Sequence, residues 1–163
     1  MTGNRVKEKI LSVGIDIGTT TTQLVFSRLT LENTASLVTV PRIEIIAKEV
    51  VFRSTIHFTP LKSQHEIDEQ RVRELIEREY QSAGITPEQV QTGAIIITGE
   101  AARKQNAESV LRALSGLAGE FVVATAGPTL EGIIAGKGAG AEQESKKRGA
   151  TVVNLDIGGG TTN

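Results

Sequence analysis

Two stretches of this 163-residue chain decide its fold, VGIDIGTTTTQ at positions 13–23 and VNLDIGGGTTN at positions 153–163. Aligned at a spacing of 140 residues, the two stretches are identical at six of eleven positions. The chain contains three aspartates, and two of them, Asp16 and Asp156, occupy the same position of this repeat. The repetition predicts one structural unit that the chain uses twice.

Each copy of the repeat consists of a short apolar run, an aspartate and a loop of glycine and threonine. An apolar run of this length bounded by glycine is typical of a buried strand. Glycine lets the backbone approach an anion closely, and successive N–H groups and threonine hydroxyls then supply hydrogen-bond donors. An aspartate next to a phosphate needs a cation between them, and Mg²⁺ is commonly held by one or two carboxylates together with phosphate oxygens. The pair of copies therefore predicts two loops that bind one nucleotide–Mg²⁺ complex, whereas either loop alone is equally compatible with a tight hairpin turn.

The composition excludes several classes of function. With 18 Lys and Arg against 19 Asp and Glu, a net charge of −1 and only 3% aromatic residues, the chain lacks the basic and stacking surface of a nucleic-acid binder. The absence of cysteine excludes disulfides, thiol nucleophiles and thiolate metal sites in this stretch. No apolar run approaches the roughly 18 residues of a membrane span, and the polar first ten residues lack the apolar region of a signal peptide. We therefore expect a cytosolic protein with neither nucleic acid nor a membrane as its partner.

The first half of the chain reads as strands followed by a helix. Residues 23–29 and 36–46 alternate as strands of an antiparallel meander that continues from the first apolar run, and shorter strands are expected at 50–53 and 56–58. An apolar stripe at 3.6-residue spacing predicts a helix over 68–83, which Gly84 ends.

The second half alternates strands with helices. We expect a buried strand at 92–99, a helix at 101–117, a buried strand at 120–127 and a helix that begins at Pro128 and points Leu130, Ile133 and Ile134 inward. The stretch 138–149, with its glycine–alanine repeat and three consecutive basic residues, reads as a solvated loop. Such alternation predicts parallel connections and helices packed against a mixed sheet.

The order of these motifs resembles the superfamily of actin, sugar-kinase and heat-shock-chaperone ATPases. The resemblance rests on a meander that opens with Asp-Ile-Gly-Thr-Thr, two βα units and a second motif, Asp-Ile-Gly-Gly-Gly-Thr. It implies an actin-like (ribonuclease H-like) α/β ATPase domain with a mixed β-sheet, an antiparallel meander followed by βαβ units, plus the first strand of a second domain. The implied boundaries are 1–137 for the first subdomain, 138–150 for a hinge, and 151–163 for the first strand and phosphate loop of the second domain. The chain would then be the N-terminal piece of a longer protein.

A closer resemblance, over essentially the whole chain, is to the EutA family of ethanolamine ammonia-lyase reactivating factors. It rests on SVGIDIGTTTTQLVFSRL (12–29), GAIIITGEAARKQNA (93–107), FVVATAGPTLEGIIAGKGAGA (121–141) and NLDIGGGTTN (154–163). The resemblance implies an ATP-dependent, chaperone-like protein whose partner is the adenosylcobalamin-dependent lyase. Such a factor releases damaged cobalamin so that intact coenzyme can rebind. It also implies a bacterial cytoplasmic location, association with the ethanolamine microcompartment, and the option of a homo-oligomer.

The same resemblance assigns site residues and the cofactors ATP and Mg²⁺. Asp16 and Asp156 would hold Mg²⁺ through waters. The two loops would contact the phosphates from opposite sides, one with Gly18, Thr19, Thr20 and Thr21 and the other with Gly158, Gly159, Gly160 and Thr161.

No catalytic base is assigned from the sequence. The heat-shock chaperones carry a glutamate immediately before the Pro-Thr of the connecting segment, and this chain has Gly127 there. Glu131 lies one helical turn further along and stays unassigned. We expect weak or undetectable ATPase activity from this chain alone.

Two other functions remain open from the sequence. A small-molecule kinase of the same superfamily usually places a carboxylate base, most often aspartate, before the second phosphate motif. No aspartate lies between Glu69 and Leu155, which disfavours the kinase. The second alternative is an actin-like protein that assembles when it binds nucleotide, which the glycine-rich tail permits without favouring.

Overall fold

The computed structural model of the chain describes residues 7–35, 40–117, 120–126, 128–158 and 162. Its strands are β1 (Lys7–Ile17), β2 (Thr21–Asn33), β3 (Ile43–Arg53), β4 (His57–Phe58), β5 (Leu61–Ser63), β6 (Glu66–Ile67), β7 (Thr92–Thr98) and β8 (Glu120–Ala126). Its α-helices are α1 (Glu69–Ala83), α2 (Ala107–Leu114), α3 (Pro128–Gly138) and α4 (Ala141–Arg148). Short 3₁₀ turns cover Pro87–Gln89, Gly99–Arg103 and Ser115–Leu117.

The main sheet is mixed, as the sequence predicts. Its strand order is β3-β2-β1-β7-β8, and β4 pairs with the start of β2. Strand β2 runs antiparallel to both β1 and β3, whereas β7 runs parallel to both β1 and β8. Strands β5 and β6 form a separate two-stranded sheet. The meander therefore passes into parallel βαβ connections at β1, which lies at the centre of the sheet.

The hydrophobic core lies between one face of this sheet and the helices α1 and α2. Every second residue of the central strands is buried, which is the period of a strand with one covered face. The Phe26 ring packs edge-on against the Tyr80 ring at a centroid distance of 4.8 Å, and the Tyr80 hydroxyl donates a hydrogen bond of 2.7 Å to the Leu117 carbonyl. The buried apolar side chains of the sheet and of the two helices form one cluster: Val13, Ile15, Ile17, Leu24, Phe26, Ile95, Ile97, Val72, Ile76, Tyr80, Val110 and Leu114.

Helix α1 confirms the prediction at both ends. The Asp68 carboxylate accepts a hydrogen bond of 3.1 Å from the Arg71 N–H and caps the first turn. Gly84 ends the helix in the left-handed region, with φ of 64°, where glycine has no Cβ to clash.

The single helix expected at 101–117 is wrong. The chain forms a 3₁₀ turn at Gly99–Arg103, and α2 begins only at Ala107. Between the two, the Asn106 side chain accepts a hydrogen bond from the Ile67 N–H at 2.9 Å and donates one to the Ile67 carbonyl at 2.8 Å. These long-range bonds to β6 interrupt the helix, and local spacing does not reveal them.

The strand expected at 36–46 begins later and continues further. Strand β3 starts at Ile43 and absorbs the separate strand expected at 50–53, while residues 36–39 lie outside the described residues. The Asn33 side chain accepts a hydrogen bond of 2.9 Å from the Arg42 N–H, which closes the connection before β3. The short strand expected at 56–58 is present as β4.

The loop expected at 138–149 is wrong, because α4 occupies most of it. Ion pairs one turn apart, such as Lys146 with Glu142 and Arg148 with Glu144, stabilise this helix. Gly140 and Gly149 flank it in left-handed conformations. The stretch is as solvated as expected, since the helix has no buried residue.

The inward orientation expected for Leu130, Ile133 and Ile134 of α3 is also wrong, because all three side chains are exposed. Apolar residues and glycines surround α3 on several sides, so spacing alone does not identify one core-facing stripe. Within the part of the chain that the structure describes, no helix is long and apolar enough to cross a membrane.

The second copy of the repeat does not form the strand expected of it. Residues 151–156 have no regular secondary structure, and Ile157 makes an isolated antiparallel bridge with Thr162. The apolar residues that should be buried are exposed, by 76% for Val153, 73% for Leu155 and 75% for Ile157. Among the described residues no strand pairs with this segment.

Candidate functional site

The candidate site lies where the parallel strands of the sheet end. Asp16 is the penultimate residue of β1, and Thr98 is the last residue of the neighbouring β7. The Gly18–Thr21 turn connects β1 to β2 at the same edge. Open α/β sheets bind their ligands outside the carboxyl ends of parallel strands. A ligand is therefore expected at this edge of the sheet.

The turn at Gly18–Thr21 requires glycine at its first position. The Gly18 N–H donates a hydrogen bond of 2.8 Å to the Thr21 carbonyl. A Cβ added at Gly18 would lie 3.0 Å from that same carbonyl oxygen and 3.6 Å from the Thr98 hydroxyl. A larger residue would therefore crowd the Thr21 carbonyl and distort the turn itself, whereas the Thr98 hydroxyl lies at an ordinary contact distance.

The turn presents hydrogen-bond donors to its surroundings. Because the Gly18 N–H is used inside the turn, it is not a free donor for a phosphate. The N–H groups of Thr19 and Thr20, by contrast, have no acceptor within the described ranges. The Thr19 hydroxyl oxygen accepts a hydrogen bond of 2.8 Å from the Glu100 N–H, which ties the turn to the segment after β7. The arrangement suits an anion, which would accept from the two free N–H groups.

Asp16 occupies an electrostatically unfavourable position. The residue as a whole is exposed, but partial desolvation of its carboxyl raises the pKa above the ordinary value, and the negative charges of Glu131 and Asp156 raise it further. The Thr98 hydroxyl donates a hydrogen bond of 3.2 Å to Asp16 Oδ1, and this bond offsets part of the increase in the pKa. The charges of the aspartates of the two repeat copies therefore act on each other in this structure.

Glu131 is the site residue that sequence reasoning left unassigned. It lies in the first turn of α3, directly after the parallel strand β8. Its Oε2 atom is buried and has no hydrogen-bond partner, and its charge acts on Asp16. A buried carboxylate oxygen without a hydrogen-bond partner lowers the stability of the folded state. Its position in the first turn of a helix that follows a parallel strand could have marked Glu131 as a candidate site residue. The sequence alone, however, does not show in which direction the side chain points.

The second repeat copy lies beside the same helix. A Cβ built at Gly136 of α3 would lie 3.8 Å from the Cβ of Asn154. The segment that leads to Asp156 therefore runs next to α3. Gly158 is exposed. Gly159, Gly160 and Thr161, expected to contact the phosphates, lie outside the described residues.

The acidic residues fit a cation that brings other ligands with it. No three acidic or histidine side chains among the described residues converge closely enough to hold a metal ion by themselves. Mg²⁺ usually keeps several waters and binds one or two carboxylates together with phosphate oxygens. The repulsion at Asp16 and the unpartnered Glu131 oxygen are both relieved by a nearby positive charge. The donor set therefore suits Mg²⁺ that arrives with a phosphate ligand.

Comparison with known families places the chain directly. The family model described as ethanolamine utilisation protein EutA matches residues 8–163. The chain belongs to the EutA family. Two curated relatives are named ethanolamine ammonia-lyase reactivase EutA, from Salmonella typhimurium (strain LT2) and Escherichia coli (strain K12). Each is 54% identical over 155 residues, which cover 95% of this chain and 33% of the relative. The chain therefore spans about a third of the length of these EutA proteins.

Solved structures confirm the actin-like fold class expected for a EutA chain. A nucleoside triphosphate hydrolase from Neospora caninum superimposes with a TM-score of 0.56 at 12% identity, over 98% of this chain and 35% of the other. The type II variant of the Aquifex aeolicus Ppx/GppA phosphatase superimposes with a TM-score of 0.52 at 19% identity, over 94% of this chain and 46% of the other. At such identities the likeness establishes the fold alone.

Proposed function

We propose that the full-length protein is an ATP-dependent reactivating factor for adenosylcobalamin-dependent ethanolamine ammonia-lyase. It releases damaged cobalamin from the lyase so that intact coenzyme can rebind. Support comes from the names of relatives that are 54% identical. The observation that supports the nucleotide dependence is the electrostatic interaction between Asp16 and Asp156 beside the Gly18–Thr21 turn, whose Thr19 and Thr20 N–H groups have no acceptor among the described residues.

Each site residue is given a role within this proposal. Asp16 and Asp156 hold Mg²⁺ through waters, and the ion neutralises the phosphate charge when it is bound. The Gly18–Thr21 turn contacts the phosphates from one side, and the loop Gly158–Thr161 contacts them from the other. Nucleotide state then shifts the population between two conformations of the factor that bind the lyase differently. The domain limits 1–137, 138–150 and 151–163 belong to the same proposal.

A reactivation assay tests the function. Lyase that holds a cobalamin without its adenosyl group is mixed with the full-length protein, Mg-ATP and fresh adenosylcobalamin, and the ammonia released from ethanolamine is followed. We expect activity to return only when both the protein and Mg-ATP are present. Recovery that is the same with and without ATP would leave the reactivase role standing and refute the nucleotide dependence. No recovery under any condition would refute the role itself.

Glu131 is proposed to orient the water that attacks the terminal phosphate. In the full-length protein, Glu131→Gln should keep the affinity for Mg-ATP within a few-fold and lower the turnover of ATP by about a hundredfold or more. The matched control is Glu142→Gln, which changes an exposed glutamate that pairs with Lys146 on α4. Equal turnover in Glu131→Gln and the unchanged protein would remove Glu131 from the reaction.

The two alternative functions are outcomes of further assays on the same protein. ATP turnover that depends on one sugar or other hydroxyl compound would favour a small-molecule kinase. Sedimentation that depends on ATP would favour an actin-like assembly protein and would also establish the homo-oligomer. Co-purification with the ethanolamine microcompartment tests the proposed location.

A further inference from the structure

Thr59 lies directly behind the Gly18–Thr21 turn, although about forty residues separate them in sequence. Its hydroxyl donates a hydrogen bond of 2.8 Å to the Gly18 carbonyl. Its backbone N–H donates a second hydrogen bond of 2.8 Å to the Thr20 carbonyl. One buried residue therefore binds two of the carbonyl groups of the turn.

These two bonds decide which atoms the turn offers to a ligand. Carbonyl oxygens carry partial negative charge, so a turn that binds an anion must direct its carbonyls away and its N–H groups towards the ligand. The carbonyls of Gly18 and Thr20 accept from Thr59, and that of Thr21 accepts from the Gly18 N–H. The N–H groups of Thr19 and Thr20 remain without an acceptor in the described part of the chain. The donors are thus presented before any ligand arrives, which is electrostatic preorganisation.

Thr59 is itself held in place from two sides. The Thr22 hydroxyl lies 3.0 Å from the Thr59 hydroxyl oxygen and acts as the donor, because the Thr59 proton is used on Gly18. The residues before Thr59 form β4, which pairs with the start of β2. Within β4, His57 Nε2 lies 2.6 Å from Glu79 Oε1 of α1. The segment that carries Thr59 is therefore anchored both to the sheet and to a helix.

We infer that Thr59 is a positioning residue for phosphate binding, which turns the Gly18 and Thr20 carbonyls away from the ligand. This inference rests on the proposed function, since it assumes that the turn binds the phosphates of Mg-ATP. Thr59 does not touch the ligand and acts only through the turn.

Three variants of the full-length protein test the inference by isothermal titration with Mg-ATP. Thr59→Val removes the hydroxyl and leaves the Gly18 carbonyl unpaired, so the affinity should fall about tenfold. Thr59→Ser keeps the hydroxyl and should restore the affinity to within about threefold of the unchanged protein. Thr22→Val is the matched control, because it removes a buried hydroxyl of the same network but leaves both bonds from Thr59 to the turn.

Thermal unfolding without nucleotide separates positioning from stability. Thr59→Val loses two side-chain hydrogen bonds and Thr22→Val loses one, so both should lower the melting temperature, Thr59→Val by more, while only Thr59→Val should lose affinity. Equal losses of affinity in both variants would show that Thr59 is merely structural and would overturn the inference. Full affinity in Thr59→Val, in a protein whose unchanged form binds Mg-ATP, would overturn the inference and leave the proposed function intact. No binding by the unchanged protein would overturn both.

Discussion

The two copies of the repeat share six of their eleven residues but have different structures. In the first copy, β1 lies between β2 and β7, and its apolar residues are buried beneath α1 and α2. In the second copy, the corresponding residues form no strand, and Val153, Leu155 and Ile157 face the solvent. The motif itself is therefore not sufficient to form a strand.

The difference lies in the neighbours that each copy has. The first turn is held from outside by Thr59 and by the Glu100 N–H, and its aspartate accepts from Thr98. The second copy runs beside α3 at Asn154, and among the described residues no strand of the sheet pairs with it. A short apolar segment orders its backbone only when neighbouring strands supply hydrogen bonds and cover its side chains. The repeat sequence therefore specifies the loop, whereas the formation of the preceding strand depends on pairing with neighbouring strands of the sheet.

The largest expected effect contrasts matched isoleucines of the two copies. Ile17→Ala removes a fully buried side chain from the core and should lower the free energy of unfolding of this chain by about 2–5 kcal/mol. Ile157→Ala removes the equivalent side chain, which is 75% exposed, and should change it by less than about 0.5 kcal/mol. Urea unfolding of both variants measures the contrast. Similar losses of unfolding free energy in the two variants would mean that the second copy is packed as well as the first.

The aspartates test whether the two copies nevertheless act together. In the full-length protein, Asp16→Asn and Asp156→Asn should each weaken the binding of Mg-ATP by about a hundredfold, roughly 2.7 kcal/mol, because each removes a carboxylate from the proposed Mg²⁺ site. Titration without Mg²⁺ is the control, and there the variants and the unchanged protein should differ little. Unchanged affinity in both variants with Mg²⁺ present would refute the metal assignment.

Substitution of two glycines of the first copy tests the role of the turn in binding. Gly18→Ala places a Cβ 3.0 Å from the Thr21 carbonyl oxygen and should weaken Mg-ATP binding about tenfold through distortion of the turn. Gly14→Ala, four residues earlier in β1, has nothing within 4 Å of the new Cβ and should leave the affinity unchanged. Titration of the full-length variants compares them. A tight-binding Gly18→Ala protein would show that the turn has room to adjust.

Local patterns were enough to predict much of this fold. The apolar runs of β1 and β7, the stripe of α1 and the glycine after it all led to the observed elements. The interruption before α2 was missed because Asn106 bonds to the backbone of Ile67, which is a contact between distant parts of the chain. Helix α4 was missed because its glycine-rich start reads as a loop, although its ion pairs at i,i+4 favour a helix.

The site was predictable to the same extent. The repeat identified Asp16 and Asp156, since a sequence match requires no knowledge of neighbours. Thr59 and Glu131 reach the site only through the way that β4 and α3 pack, so neither role follows from spacing in the sequence. The repeat therefore predicts the candidate ligand contacts, and the residues that support them become visible only in the folded chain.

The smallest expected effect is a dependence of stability on pH that comes from Asp16 of the first copy. The pKa of Asp16 in the folded chain is raised above its ordinary value of 3.8 by partial desolvation of the carboxyl and by the charges of Glu131 and Asp156. At a pH between the unfolded and folded pKa values the folded state binds more protons, so stability falls as pH rises through this window, and the full penalty persists at neutral pH. Without Mg²⁺ and nucleotide, Asp16→Asn should therefore be more stable than the unchanged chain at pH 7, and the advantage should shrink as the pH falls towards 3.8.

Thermal unfolding in EDTA across this pH range measures the advantage of Asp16→Asn. Asp68→Asn is the matched control, because asparagine also caps a helix and the change should have little effect on stability at any of these pH values. An Asp16→Asn chain that is less stable than the unchanged chain at pH 7 would show that the carboxylate is stabilised where it lies. In that case the first copy would not need a cation to offset its charge, and the electrostatic reason for pairing it with the second copy would be lost.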